Sequence, residues 1–147
     1  MNQTNNTKIE TITGGVAKDE RGQIRFVNAF DMTRIKRFYI IENSTTHVFR
    51  GWRGHRTEQR WFYVLSGVFY IYIVKIDDWE NTSQELPVTK FIRGMDDQQV
   101  LCVPAGYATA FRALEEDSAL LVFADHGIEN AKNDDFVWPA DYFLKCN

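Results

Sequence analysis

Between Phe49 and Arg60 the chain carries four arginines and one histidine: Arg50, Arg53, His55, Arg56 and Arg60. A guanidinium fork matches the oxygens of phosphate or carboxylate. An imidazole titrates near neutrality and can take or give a proton. Charges this dense, placed just before an apolar strand, are costly to bury alone. They either face water as a solvated basic loop or line a pocket that receives an anion. Gly51 and Gly54 favour the pocket, because glycine lets backbone approach a ligand closely. A second segment, Val103-Pro104-Ala105-Gly106-Tyr107-Ala108-Thr109-Ala110-Phe111, contains a Pro-Ala-Gly turn that delivers the next strand into a sheet.

The elements that must position these residues read as strands. β-Branched and aromatic residues cluster in short runs bounded by Gly, Asp, Asn and Pro. Strands are expected near Ile24–Phe30, Ile35–Ile41, Trp61–Leu65, Val68–Ile76, Val88–Ile92, Val100–Val103, Thr109–Leu114 and Ala119–Ala124. Ser66-Gly67 reads as a tight hairpin turn, and Trp79–Leu86 as a polar loop. Helical periodicity never lasts beyond about two turns. The one helical candidate is short and C-terminal, within Trp138–Leu144. Strands at this spacing imply a sandwich or barrel. Residues 1–7 read as a polar, flexible tail and residues 8–147 as one domain. In Trp61-Phe62-Tyr63 successive side chains must face opposite sides of the sheet. A strand apolar on both faces needs a covering sheet or a partner subunit, so a homodimer is expected.

Composition narrows the partners. The 147 residues are 44% hydrophobic and 14% aromatic, enough for one packed core. A net charge of −3 gives no electrostatic case for nucleic acid or an anionic membrane. No apolar run approaches the roughly 18 residues of a spanning helix. The start lacks the basic and apolar regions of a signal peptide. Cys102 and Cys146 read as free thiols in a reducing compartment. The expected location is the cytoplasm.

Several segments in order then point to a family. They are Asp19-Glu20-Arg21-Gly22, Glu42-Asn43-Ser44, Arg50-Gly51, Arg60, Ser66-Gly67, the Pro104-Ala105-Gly106 strand and Asn133-Asp134-Asp135-Phe136-Val137-Trp138. Together they resemble the nucleotide-sugar cupins: the dTDP-4-dehydrorhamnose 3,5-epimerases and the shorter dTDP-sugar 3,4-ketoisomerases. The resemblance runs from about Gly14 to Phe143, and the chain length is nearer the ketoisomerases. It implies an all-β, antiparallel jelly-roll barrel (a double-stranded β-helix) with a polar pocket inside. It also implies a nucleotide-activated 4-keto-6-deoxy sugar as ligand, in deoxysugar or cell-surface polysaccharide biosynthesis. The carbonyl of such a sugar acidifies neighbouring C–H bonds. A base removes a proton, and a cation stabilises the enolate.

The family's positions carry over unevenly. Arg50 matches the arginine at the phosphates, and Arg21 and Asn43 match further substrate contacts. Arg53 and Tyr107 are also expected to bind substrate. Arg60 stands where epimerases hold an enolate-stabilising lysine; its charge is kept, but proton donation is implausible with a pKa above about 12. Arg53 stands at the first histidine, the epimerase base, and Thr109 at a later one. His55 matches the second histidine of the ketoisomerase pair and is the expected acid or base. No tyrosine lies near Asp125–Ile128, where epimerases carry their acid; Tyr39, Tyr63, Tyr72 or Tyr107 are the substitutes available. Only His55 remains of the ligands a metal cupin needs, with His47 and His126 isolated, so no metal or other cofactor is expected. Three readings stand: a sugar isomerase or epimerase, a non-catalytic nucleotide-sugar binder, and a barrel whose basic loop is merely surface.

Overall fold

The computed structural model describes residues 8–43, 45–46 and 48–143. The expected tail at 1–7, His47, Cys146 and the end of the helical candidate at Leu144 lie outside them. Twelve strands follow in order: β1 (Glu10–Thr13), β2 (Gly15–Asp19), β3 (Gly22–Phe26), β4 (Arg37–Glu42), β5 (Phe49–His55), β6 (Arg60–Ser66), β7 (Val68–Lys75), β8 (Val88–Gly94), β9 (Gln99–Val103), β10 (Tyr107–Ala113), β11 (Ala119–Ala124) and β12 (Phe136–Val137). Two five-stranded sheets, β1-β9-β6-β11-β4 and β12-β5-β10-β7-β8, carry the fold, and β2 and β3 form a separate two-stranded ribbon. Every strand pairing is antiparallel. The expected all-β antiparallel architecture is what the chain adopts.

The core follows from strand alternation. Phe62 and Val64 of β6, Ile71 and Ile73 of β7, and Leu120 and Val122 of β11 point between the sheets and are buried together. Their neighbours point outward and are covered by the chain itself. Phe30 packs its ring 6.0 Å from Trp61 and 5.3 Å from Phe123, and Val27 and Ile35 join it. On the other sheet the C-terminal segment covers the outer face. Phe143 lies edge-on to Trp52 at 5.0 Å, and the Trp52 indole N–H donates to the Ala140 carbonyl at 3.1 Å. The second apolar face of Trp61-Phe62-Tyr63 therefore needs no partner subunit to cover it.

Three expectations are corrected. Ser66-Gly67 is not a hairpin turn, because β6 and β7 belong to different sheets. Gly67 turns the corner between them with φ +74°. A Cβ there would lie 1.9 Å from the buried Ser118 hydroxyl, so both conformation and space require glycine. The described part of the helical candidate, 138–143, holds no helix: a 3-10 helix spans Ile128–Asn133, and a turn from Pro139 to Tyr142 follows. Gly54 admits no ligand; a Cβ there would meet the Trp138 ring at 2.8 Å, so its bareness serves the C-terminal cover.

Candidate active site

Residues 49–55 form strand β5, and its two strand partners decide where the charges point. His55, Arg53 and Gly51 alternate onto one face. Arg50 is an odd number of residues from both Arg53 and His55 and would face away in a regular strand. It does not. β10 residues Thr109 and Phe111 pair with Arg53 and Arg50, so β5 holds one extra residue there. This bulge re-aims Arg50 to the inner side.

Across the barrel, Arg60 opens β6 on the same face as Phe62 and Val64. On β4 the half-buried residues Arg37, Tyr39 and Ile41 alternate with exposed Phe38, Ile40 and Glu42. Arg37 and Arg60 pair with Ala124 from opposite sides, which sets two guanidinium groups flanking one small residue.

Between the sheets lies an open-mouthed cavity of about 630 Å³, lined by Arg37, Tyr39, Arg50, Arg53, His55 and Arg60 among others. Arg50, Arg53, His55 and Arg60 of the basic segment thus line this cavity, whereas Arg56 lies over the Trp79 ring at 5.8 Å. The arginines are held by acids and amides. Glu58, 2% exposed, accepts from Arg60 Nε at 2.6 Å and lies 3.6 Å from Arg37. Arg60 also donates to the Tyr39 hydroxyl. Arg50 Nε donates to Asn43 Oδ1 at 2.9 Å, and Arg53 pairs with Asp135 at 2.7 Å.

His55 sits at the base of this cavity, 7% exposed. Its Nδ1–H donates to the backbone carbonyl of Asp134 at 2.6 Å. A carbonyl only accepts, so this bond fixes the proton on Nδ1. Nε2 is left with its lone pair, buried and without a hydrogen-bond partner among the described residues. Burial first, and the Arg60 charge second, hold the imidazole pKa below its ordinary value. The resting ring is therefore neutral at pH 7, with an acceptor nitrogen free. Burial raises the Tyr39 phenol, partly offset by the charge of Arg60, so Tyr39 keeps its proton and can donate it.

Of the expected site residues, His55, Arg60, Arg50 and Arg53 meet at the cavity, and Asn43 is buried beside them as the support of Arg50. Tyr107 lines a narrow recess behind, with His55, Glu58 and Thr109. Arg21 is elsewhere: it sits on the β2–β3 ribbon, exposed, in an ion pair with Asp19 at 2.6 Å. Sequence reasoning missed Arg37, Glu58 and Asp134. The spacing Glu58-x-Arg60 at a strand start was the one available signal, since residues two apart share a face. Among the described residues no group of three His, Cys, Asp or Glu could hold a metal ion, and His126 pairs with Asp125. A second depression, outside the barrel, contains Lys90 and Arg112. These cations already stack on Tyr70 at 4.3 Å and Phe49 at 5.3 Å, and no histidine lines this depression. No helix among the described residues is long and apolar enough to cross a membrane.

Comparison with known proteins agrees with this architecture. The sequence profile of the family described as FdtA: WxcM-like, C-terminal matches residues 5–146. No curated protein matches the chain significantly. Among solved structures, the chain is similar to a mutant of the 3,4-ketoisomerase QdtA from Thermoanaerobacterium thermosaccharolyticum in complex with TDP-4-keto-6-deoxyglucose, with TM-score 0.68 and 20% identity over 93% of this chain and 92% of that one. It is also similar to a 3,4-ketoisomerase from Helicobacter canadensis, with TM-score 0.70 and 14% identity over 95% and 98%. The rmlC epimerase of Mycobacterium tuberculosis gives TM-score 0.72 and 17% identity over 90% and 70%. At these identities the likeness establishes the fold.

Proposed function

Because this chain belongs to the FdtA family, we propose that it isomerises a dTDP-type 4-keto-6-deoxy sugar, moving the carbonyl from C4 to C3. The observation that carries this reading is the unpartnered Nε2 of a neutral His55, buried at the base of an arginine-lined cavity. The similar ketoisomerases support it, being spanned almost end to end by this chain where the epimerase is not.

In this reading Arg50 and Arg53 grip the diphosphate at the mouth, with Asn43 fixing the Arg50 fork. The 4-keto oxygen lies toward Arg60, and Nε2 of His55 removes the C3 proton. The electron pair of that C–H bond forms the C3–C4 double bond, and the carbonyl electrons move to O4. Arg60, itself half-buried, stabilises this oxyanion. Tyr39 gives its proton to O4 and takes the proton of the O3 hydroxyl. The His55 imidazolium, its N–H exchanged with solvent through the open mouth of the cavity, then delivers a proton to C4, and the carbonyl closes at C3. Every proton lost is returned, and no oxidant is needed.

The tyrosine missing near Asp125–Ile128 is thus replaced by Tyr39, from another strand. Tyr107 belongs to this reading as a residue behind the sugar. Arg21 belongs to it only as a contact made across a homodimer, and exposed Phe38 and Ile40 on edge strand β4 support such an assembly. The product would feed cell-surface polysaccharide biosynthesis. Incubation with dTDP-4-keto-6-deoxyglucose, followed by NMR of the product, tests the proposal. A 3-keto sugar is expected. Unchanged substrate, or a sugar inverted at C3 or C5 with its carbonyl still at C4, would refute it.

A further inference from the structure

Asp134 takes no part in the chemistry above, yet it is 3% exposed and more densely bonded than any catalytic group. Its Oδ1 accepts from the backbone N–H of Arg56 at 2.6 Å. Its Oδ2 accepts from the N–H of Glu58 at 2.9 Å and from the Thr57 hydroxyl at 2.8 Å. The N–H of Thr57 is shared between both oxygens, at 3.2 and 3.1 Å. Three successive backbone donors and a hydroxyl therefore converge on one carboxylate. The segment they belong to joins His55 on β5 to Arg60 on β6. The carboxylate does not touch the imidazole; the backbone carbonyl of the same residue does, at 2.6 Å.

We propose that Asp134 is a positioning residue, whose carboxylate clamps the 56–58 segment so that its own carbonyl holds His55 in the Nδ1–H tautomer with the Nε2 lone pair free. The clamp works from both ends of one residue. Pulling the carboxylate into the 56–58 nest fixes the backbone at 134, and that backbone sets the height and direction of the carbonyl. The same nest holds the N–H of Glu58, whose carboxylate orients Arg60. Base and cation are thereby kept in register by one buried side chain. A histidine side chain in water favours the proton on Nε2, the tautomer that leaves no lone pair on that nitrogen. Holding the less favoured tautomer requires a fixed acceptor at Nδ1.

This inference rests on His55 being the base of the proposed reaction, but its primary test does not require turnover. Nitrogen-15 NMR of histidine-labelled, substrate-free protein reads the tautomer of His55 directly. Wild type should show Nδ1 protonated and Nε2 bare. Asp134→Asn places an amide where backbone donors need an acceptor, so the Nε2–H tautomer should become populated. Thr57→Val removes one bond to the carboxylate and leaves the backbone nest, so it should shift the population the same way by less. If Asp134→Asn fails to fold, the valine variant carries the test. In turnover, kcat should fall 10- to 100-fold in Asp134→Asn with KM within about threefold. Both variants retaining the wild-type tautomer and kcat would overturn the proposal, whatever their melting temperatures. Wild type showing the Nδ1–H tautomer but no turnover would refute the isomerase reading and leave the clamp standing.

Discussion

His55 and Arg60 enter one cavity from different sheets, separated in sequence by only four residues. His55 ends β5 and Arg60 begins β6. The segment between them carries the chain from one sheet to the other. It is tied down by Asp134 at Arg56, Thr57 and Glu58, and by Asp125 at the N–H of Gln59, 2.9 Å away. An imidazole and a guanidinium are thus brought to one space by a short segment anchored through its backbone.

Replacing His55 by asparagine removes the imidazole that lines the cavity while keeping a polar group there. General-base loss of this kind is worth on the order of 10³-fold in kcat. The affinity for dTDP, which the proposed reading assigns to the arginines, should stay within about threefold. Steady-state kinetics and calorimetric titration of the same sample check both halves.

The acid limb of the pH profile follows from the depressed His55 pKa. The base works only when neutral, and burial with the Arg60 charge disfavours the protonated ring. The kcat/KM should therefore be flat on descending through the ordinary imidazole value near 6.5, and should drop only at lower pH. Substituting Arg60 by methionine removes one of the two depressing causes, so the limb should move toward higher pH in that variant.

Glu58 is the buried counter-charge of Arg60 and Arg37. Glu58→Ala leaves two guanidinium groups facing each other across Ala124 without it. Breaking a buried ion pair on one side costs about 3–5 kcal/mol. Urea denaturation should show a fall of that order in unfolding free energy, and a Glu58→Gln variant, which keeps one acceptor, should fall by less.

The proposed reading assigns ligand binding to Arg50, whose Nε is directed by Asn43 Oδ1 at 2.9 Å. Arg50→Ala should weaken dTDP affinity at least 10-fold, in line with the roughly 1.5–3 kcal/mol of a hydrogen bond to a charged group. Asn43→Ala, which frees the fork without removing it, should weaken binding by a smaller factor. Calorimetric titration at fixed ionic strength measures both.

Most of the architecture was legible because alternation and turn residues marked the strands, and β6, β7, β9 and β11 lie where the apolar runs do. β5 was not, for a physical reason. Its two glycines and its bulge break the period-two pattern, so Arg50 and Arg53 looked like loop charges. The covering of Trp61 by Phe30 was hidden because a surface segment that packs flat leaves no periodic signal. Among the tyrosines, sequence offered four substitutes for the missing acid. The structure puts Tyr39 in the cavity, Tyr63 in the cluster on the opposite face of β6, Tyr72 in the outer depression and Tyr107 behind the site. Asp134 lies 79 residues from His55, and no local pattern connects a residue to a carbonyl that far along the chain.

The central claim is that a neutral His55 removes a carbon-bound proton from a 4-keto sugar held in the arginine-lined cavity. Incubation of dTDP-4-keto-6-deoxyglucose with the protein in deuterated water, read by mass and NMR, tests it directly. Deuterium carried into the sugar ring by the wild type, and abolished in His55→Asn at saturating substrate, is the predicted result. Tight binding with no deuterium entering the sugar, or exchange that persists in His55→Asn, would contradict it.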